Sequence, residues 1–254
     1  MAALYDTIGV DYANLRKPDL RIAAQIEAAL GPARTVLNIG AGAGSYEPGE
    51  REVTAVEPSL EMIRQRSSGS APVVQACAES LPFADDSFDA AMAILTVHHW
   101  ADKARGLAEM RRVSRGPVVL LTFDPAHRGN WLADYLPELI DLDERIMPPM
   151  SDYQRWLGAV GIEPVPIPHD CSDGFLYAYW RRPRAYLDPR IRAAMSSFWV
   201  IGGVDEGLQR LEDDLDSGLW HDRYGHLLGF GAIDAGYRLV TTASSQPSTA
   251  AVGA

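Results

Sequence analysis

The chain has 254 residues, of which 47% are hydrophobic and 22% charged, so it can bury a sizeable core and is neither a disordered tail nor a disulfide mini-protein. Lys and Arg number 23 against 34 Asp and Glu, and the formal net charge of −11 argues against nucleic acid or an anionic membrane as the main partner, since both attract basic surfaces. Two cysteines, Cys77 and Cys171, no signal-peptide pattern and no apolar run of about 18 residues lead us to expect a soluble cytoplasmic protein.

Leu20, Ile22, Ala23, Ile26, Ala29 and Leu30 form an apolar stripe at helical spacing, with Asp19 as N-cap and Gly31-Pro32 as stop. Residues 35–39 read as a short buried strand and 52–56 as a second. Ser59 caps a helix carrying Met62 and Ile63. Residues 71–76 suggest a third strand and 88–95 a fourth. Asp102 caps a helix that turns Leu107, Met110 and Val113 inward and closes at Gly116; 117–123 is the fifth strand. This alternation of apolar strands and helices predicts a parallel sheet covered on both faces. Ligands of such sheets bind at the carboxyl ends of the strands, which directs attention to loops 40–45, 57–60, 77–83, 96–102 and 124–131.

The second half differs. Residues 124–150 are rich in Pro, Trp and acids. Residues 151–160 predict a helix stopped by Gly161, and 162–167 an edge strand, since they hold prolines. From 175 to 228 the chain reads as mostly helical. Asp188-Pro189 opens a helix with Ile191, Met195 and Phe198 inward, and Leu208, Leu211 and Leu215 mark another. Residues 236–242 form the last strand, and 243–254 have the composition of a disordered tail. There is no internal repeat.

Gly40, Gly42 and Gly44 follow the first strand, where glycines let the backbone turn sharply and approach a ligand. A dinucleotide site would place its third glycine at position 45, which is Ser45. The observed spacing suits a nucleoside-methionine site, and equally a plain tight strand–helix turn. Glu57 ends the second strand, where a carboxylate can accept hydrogen bonds from both hydroxyls of a ribose.

Six segments in order, Tyr12-Ala-Asn-Leu-Arg16, Leu37-Asn-Ile-Gly-Ala-Gly-Ala-Gly44, Ala55-Val-Glu-Pro-Ser-Leu-Glu-Met62, Ala76-Cys-Ala-Glu-Ser-Leu-Pro-Phe83, Ser87-Phe-Asp-Ala90 and Leu95-Thr-Val-His-His-Trp100, resemble the class I S-adenosylmethionine-dependent methyltransferases of the type 11 branch. The second half is similar, more loosely, to the trans-aconitate methyltransferase type. The resemblance implies an α/β fold: a Rossmann-like class I methyltransferase sheet with helices on both faces and a C-terminal helical cap insertion. It implies a core over 1–170 completed by 235–242, and a cap over 171–234. The implied cofactor is S-adenosylmethionine, with S-adenosylhomocysteine as product. It would be held by Tyr12, Arg16, Asn38, Gly40, Ala41, Gly42, Glu57, Pro58, Met62, Ala78, Glu79 and Leu95. The acceptor would be a small molecule methylated on O, N or C, by a monomer or homodimer that uses no metal, no nucleic acid and no membrane. Two positions depart from the family pattern: Asn38 stands where an acid is usual, and Cys77 where Asp is frequent.

Methyl transfer is an in-line displacement, so the protein's task is to align the reactants and exclude water. Tyr5 and Tyr12 are candidates for an aromatic ring near the sulfonium, or for ordinary lid packing. Arg16 suits a cofactor carboxylate through its planar fork. His98 or His99 could serve as general base, or simply pack. With Asp102 near them a metal site is conceivable, but the ligand spacing is missing, as it is for His221 and His226. Arg181, Arg182 and Arg184, interleaved with Tyr177, Tyr179, Trp180 and Tyr186, read either as an anion-binding cap surface or as a solvated helix end. Trp131 and Tyr135 read as pocket wall or as core. A serine hydrolase lacks its nucleophile elbow. An NAD-dependent oxidoreductase is disfavoured by the Gly44 spacing, and a catalytically inactive cofactor-binding regulatory protein is kept open by Asn38 and Cys77.

Overall fold

A computed structural model describes residues 15–242. Tyr5, Tyr12 and the tail at 243–254 lie outside the described residues. Asp19 caps α1 (Leu20–Leu30) by accepting from the Arg21 backbone N–H at 3.0 Å, and α1 buries Ile22, Ile26 and Leu30. The Ser59 hydroxyl caps α2 (Leu60–Arg64), and the Asp102 carboxylate caps α3 (Lys103–Val113). Side-chain caps of this kind satisfy N–H groups that a helix leaves orphaned, which is why these starts were legible.

Five parallel strands follow in the order the apolar runs predicted: β1 (Thr35–Ile39), β2 (Glu52–Val56), β3 (Val73–Val74), β4 (Ala90–Ile94) and β5 (Val118–Phe123). The third is shorter than expected. It sits at the sheet edge and buries little, so only two residues hold the ladder. Next come α4 (Leu132–Tyr135), α5 (Glu138–Ile146) and α6 (Met150–Leu157). The helix expected through residue 160 ends instead at Gly158, at φ +79°, where a side chain would be strained. Val160 therefore opens β6 (Val160–Pro168). The single helix expected after Asp188 is two: α7 (Pro189–Ala193) and α8 (Ser196–Val200), parted by Met195 in extended conformation. Then come α9 (Val204–Ser217), α10 (Leu219–Tyr224) and β7 (Ala232–Thr242), which begins earlier than its apolar pattern suggested.

The sheet order is β3-β2-β1-β4-β5-β7-β6. Parallel pairing stops at β5. β7 inserts antiparallel between β5 and β6, with Val119 opposite Thr241 and Ile162 opposite Val240. β6 is an edge strand, in keeping with its prolines, and its register slips between Pro164 and Pro166.

Strand residues alternate between two cores. Val36, Met92, Val119 and Leu121 face α1, while Leu37, Ala91, Ala93, Val118 and Leu120 face α3 and Tyr153 of α6. That two-residue period is the pleat, and it lets continuous apolar runs serve both faces. The segment between β6 and β7 has no core of its own. Trp180 donates its indole N–H to the Ile167 carbonyl of β6 at 3.0 Å, and Trp131 donates to the Trp180 carbonyl at 2.8 Å. Trp131, Tyr135, Tyr186 and Trp220 pack in the same cluster as α1 and the sheet. Trp131 and Tyr135 are thus core residues.

Candidate active site

The carboxyl ends of β1, β2 and β4 open on one cleft of about 630 Å³. After β1 the chain turns through Gly40 (φ +67°), Gly42 (φ +52°) and Gly44 (φ +98°), all in the left-handed region that favours glycine. The Gly40 and Ala41 N–H groups both donate to the Val56 carbonyl, at 2.8 and 3.0 Å, which pins the turn to the end of β2. Glu57, 5% exposed, follows directly. One carboxylate oxygen accepts from Gly42 N at 2.8 Å and the other from Ser59 N at 2.9 Å. The acid is thereby aimed by the two loops that flank it.

Every expected cofactor residue among the described ones lines this cleft: Arg16, Asn38, Gly40, Ala41, Gly42, Glu57, Pro58, Met62, Ala78, Glu79 and Leu95. His98 and His99 line it too, with ring centroids 3.9 Å apart in a turn after β4. Leu95 leaves β4 at φ +52°, an unusual conformation for a leucine, at the point where the sheet meets the cleft. Glu79 accepts from Asp102 N at 3.1 Å and so ties the loop after β3 to the cap of α3. Cys77 is exposed at the rim.

Asn38 is 2% exposed, and its amide N–H₂ donates to Glu47 at 3.4 Å. Glu47 in turn pairs with Arg66 at 2.7 Å and accepts from Ala71 N, and Arg66 donates to the Gly42 carbonyl at 3.2 Å. A buried ion pair thus braces the glycine turn from beneath.

Arg16 reaches the cleft in an ion pair with Asp173, at 2.5 Å from Nε to Oδ1. Burial holds His98 well below its usual pKa, helped by the adjacent His99 and the Lys103 and Arg16 charges. His99, whose ring is open to the cleft, is lowered as well, by desolvation and then by Lys103 and Arg16. Both imidazoles are therefore neutral and weakly basic at neutral pH.

The arginine cluster does not line the cleft. Arg184 pairs with Asp216 at 2.6 Å, Arg182 lies over the Tyr179 ring, and Arg181 reaches the Phe230 carbonyl. Thr96 and Trp100, within the loop singled out after β4, line the cleft as well; sequence reasoning missed Leu142, Ile146, Ser196, Ser197 and Val200, which also line it. It also missed Asp143, which lines an adjoining chamber. A signal for Asp143 existed: it stands within the apolar stripe Leu139, Leu142, Ile146 of α5. Among the described residues no three His, Cys, Asp or Glu side chains are grouped to hold a metal ion, and no helix is long and apolar enough to cross a membrane.

An α/β sheet with a glycine turn after its first strand and a buried acid after its second defines a nucleoside-binding protein of methyltransferase type. Residues 37–120 match the family model for a methyltransferase domain. The malonyl-[acyl-carrier protein] O-methyltransferase of Pseudescherichia vulneris is 31% identical over 190 residues, which is 67% of this chain and 73% of that protein. The crystal structure of a putative methyltransferase from an antibiotic biosynthesis pathway of Anabaena variabilis is 35% identical, with a TM-score of 0.84, over 91% of this chain and 99% of that one. The chloroplastic 2-methyl-6-phytyl-1,4-hydroquinone methyltransferase 1 of rice is 27% identical over 52% of this chain, which spans about two-fifths of its length (42%). The chain belongs to the class I S-adenosylmethionine-dependent methyltransferases. That membership sets aside the nicotinamide-dependent alternative.

The residues fit the family's cofactor. A cleft of about 630 Å³ is of the right size for a nucleoside-bearing ligand. A carboxylate has more acceptor capacity than two backbone N–H groups use, and Glu57 can address ribose hydroxyls. Pro58, Met62 and Ala78 offer apolar surface for a flat base.

Proposed function

We propose that this protein transfers a methyl group from S-adenosylmethionine to a small-molecule acceptor. The observation that carries the reading is Glu57, buried at the carboxyl end of β2 and aimed into the cleft by Gly42 and Ser59. When bound, the cofactor supplies an electrophilic methyl group on a sulfonium. The chain's own residues orient and exclude water. Glu57 fixes the ribose, the Ala78 backbone N–H addresses the adenine edge, and Arg16 addresses the carboxylate end. Asn38 offers a neutral amide at the glycine turn, and Tyr12 remains a candidate for the cofactor's covering. Residues 171–234 act as a cap over the acceptor, supported by the cleft-lining Ser196, Ser197 and Val200. A small acceptor accords with the name of the rice relative, which acts on a hydroquinone, while the Pseudescherichia relative is named for a malonyl group carried on a protein. The −11 charge supports a free small molecule as acceptor rather than nucleic acid or an anionic membrane, and we take the enzyme to be cytoplasmic and monomeric or homodimeric.

Calorimetric titration of the wild type and Glu57→Ala with S-adenosylmethionine and S-adenosylhomocysteine tests this. Binding by the wild type that falls at least tenfold in the variant is expected. No binding by the wild type overturns the reading.

A further inference from the structure

We propose that Asp143 accepts the proton of the methyl acceptor, and that the acceptor is a flat, uncharged hydroxyl compound, a phenol or enol, whose hydroxyl faces an aromatic chamber adjoining the cofactor cleft. This rests on the methyltransferase reading above.

The chamber, of about 50 Å³, is smaller than an aromatic ring, but it adjoins the cleft of about 630 Å³ through the shared Arg16, Leu95, His98, Ser196 and Ser197, so the guest's ring lies in the cleft and only its hydroxyl edge faces the chamber. Its walls are rings. Phe123 stands 5.4 Å from both Tyr177 and Tyr237, and Tyr237 stands 4.5 Å from Phe175, centroid to centroid. Such walls suit a flat guest. One carboxyl interrupts them. Asp143 is 4% exposed and accepts from the Tyr177 hydroxyl at 3.2 Å.

Charge selects the guest. The carboxylate repels an anionic acceptor, and Arg16, the cation of the chamber, is shared between Asp173 and the cofactor's carboxylate end, which leaves it no charge to spare for a second anion. An amine enters as a cation and must shed a proton before it can attack. A hydroxyl enters neutral and loses its proton as the new bond forms. Burial pushes the Asp143 carboxyl up to about 7, against the Tyr177 hydrogen bond and the Arg128 charge, so it takes a proton at neutral pH where an ordinary carboxylate does not. His98, the other base at the chamber, is held too low for that task.

The step balances. The acceptor oxygen bonds to the methyl carbon while the carbon–sulfur bond breaks with its electron pair left on sulfur. The O–H proton passes to Asp143, so the positive charge lost by sulfur reappears as that proton. The proton has an exit. A second cavity, of about 150 Å³, meets the same Asp143, Phe123 and Tyr177 and is lined by His127, Arg128, Asn130 and Asp134. Arg128 and Asp134 are about half exposed, so this side communicates with solvent.

The titratable and charged groups facing Asp143 are Tyr177, Tyr237, Arg16 and His98 across the chamber, and His127, Arg128 and Asp134 across the outer cavity. On its own helix, Glu144 is paired with Arg128. Both tyrosines are held well above their usual pKa and stay neutral, and burial lowers His127. Asp143 is then the group at this site that changes charge near pH 7.

The test uses 1-naphthol, 1-naphthoate and 1-naphthylmethylamine, which share a ring and differ in the reacting group. Calorimetry on wild type saturated with S-adenosylhomocysteine is expected to show binding of 1-naphthol and not of 1-naphthoate, and with S-adenosylmethionine 1-naphthol is expected to be methylated faster than 1-naphthylmethylamine, whose ammonium must first give up a proton. With S-adenosylmethionine, methylation of 1-naphthol should rise with pH and level off near 7. Asp143→Asn should keep its affinity for S-adenosylhomocysteine, lose about 100-fold in transfer, and lose that inflection. Tyr177→Phe, which removes only a hydrogen bond that lowers the carboxyl, should move the inflection upward, and it serves as the test if Asp143→Asn does not fold. The proposal is overturned by preferred binding of 1-naphthoate, by faster methylation of 1-naphthylmethylamine than of 1-naphthol, by no binding of 1-naphthol to protein that binds S-adenosylhomocysteine, by a wild-type pH profile in Asp143→Asn, or by an unmoved inflection in Tyr177→Phe. Wild type that binds no S-adenosylhomocysteine would instead sink the methyltransferase reading.

Discussion

Arg16 and Asp173, 157 positions apart, tie the segment after β6 to the stretch ahead of α1 from which Arg16 enters the cleft. Nε donates to Oδ1 at 2.5 Å and Nη2 to Oδ2 at 3.4 Å, and the Tyr46 hydroxyl donates to the same carboxylate at 3.0 Å. The backbones meet as well: Gly174 N donates to the Leu15 carbonyl at 3.2 Å. One buried acid from the cap thus holds both the N-terminal segment and the end of the glycine turn.

Because Asp173 is fully buried, removing its cation leaves an uncompensated charge. Arg16→Ala should destabilise the protein by about 3–5 kcal/mol in urea denaturation. Arg16→Lys keeps a charge without the fork and should fall between variant and wild type. A loss under about 1 kcal/mol for Arg16→Ala would show that Asp173 is satisfied by other groups.

Asn38 tolerates no added charge. Its amide faces Glu47, whose carboxylate is buried against Arg66. Asn38→Asp, although it restores the residue usual in the family, sets two carboxylates together. We expect it to lower stability by about 1–3 kcal/mol at pH 8, with the difference shrinking in acid as one carboxyl takes up a proton. Thermal melts at pH 8 and pH 5 check this.

Asp143 should make the protein more stable in acid than its other carboxylates would suggest. Its pKa is about 7 folded against 3.8 as a model group. Between these values the folded state holds the extra proton, so this contribution to stability falls as pH rises and is lost above 7. The gap corresponds to about 4 kcal/mol at high pH. Asp143→Asn keeps an acceptor for Tyr177 and removes the penalty. It should therefore melt higher than wild type at pH 8 and at nearly the same temperature at pH 4.

Gly40→Ala should collapse the cleft. A Cβ there would lie 2.1 Å from Thr96 Oγ1, and φ +67° is strained for any side chain. We expect a loss of S-adenosylmethionine affinity beyond tenfold by calorimetry. Gly44→Ala meets nothing nearer than 3.1 Å, so it should suffer only the backbone strain of φ +98° and lose less.

Most of the cofactor side was legible because it is built from contiguous segments. The caps Asp19, Ser59 and Asp102 act within three residues of their own position, and the glycine turn and Glu57, which bond to each other across 15 residues, are each marked by a short motif at the end of a strand. The acceptor side was not. Asp143 sits in a region that reads as merely acidic, and its chamber is assembled from β5, α5, β7 and the segment after β6. The arginine cluster drew attention by composition, yet its partners are Asp216 and backbone carbonyls away from the cleft.

Local chemistry, then, determined by itself where the strands of the parallel half run, how three helices start, and which loops meet at the cleft, because glycine conformation, side-chain capping and apolar periodicity are short-range effects. The antiparallel insertion of β7, the pairing of Arg16 with Asp173, and the chemical character of Asp143 were decided only by the tertiary structure. A carboxyl's charge state depends on the water taken from it and the groups brought to it, and both come from segments far away in the chain.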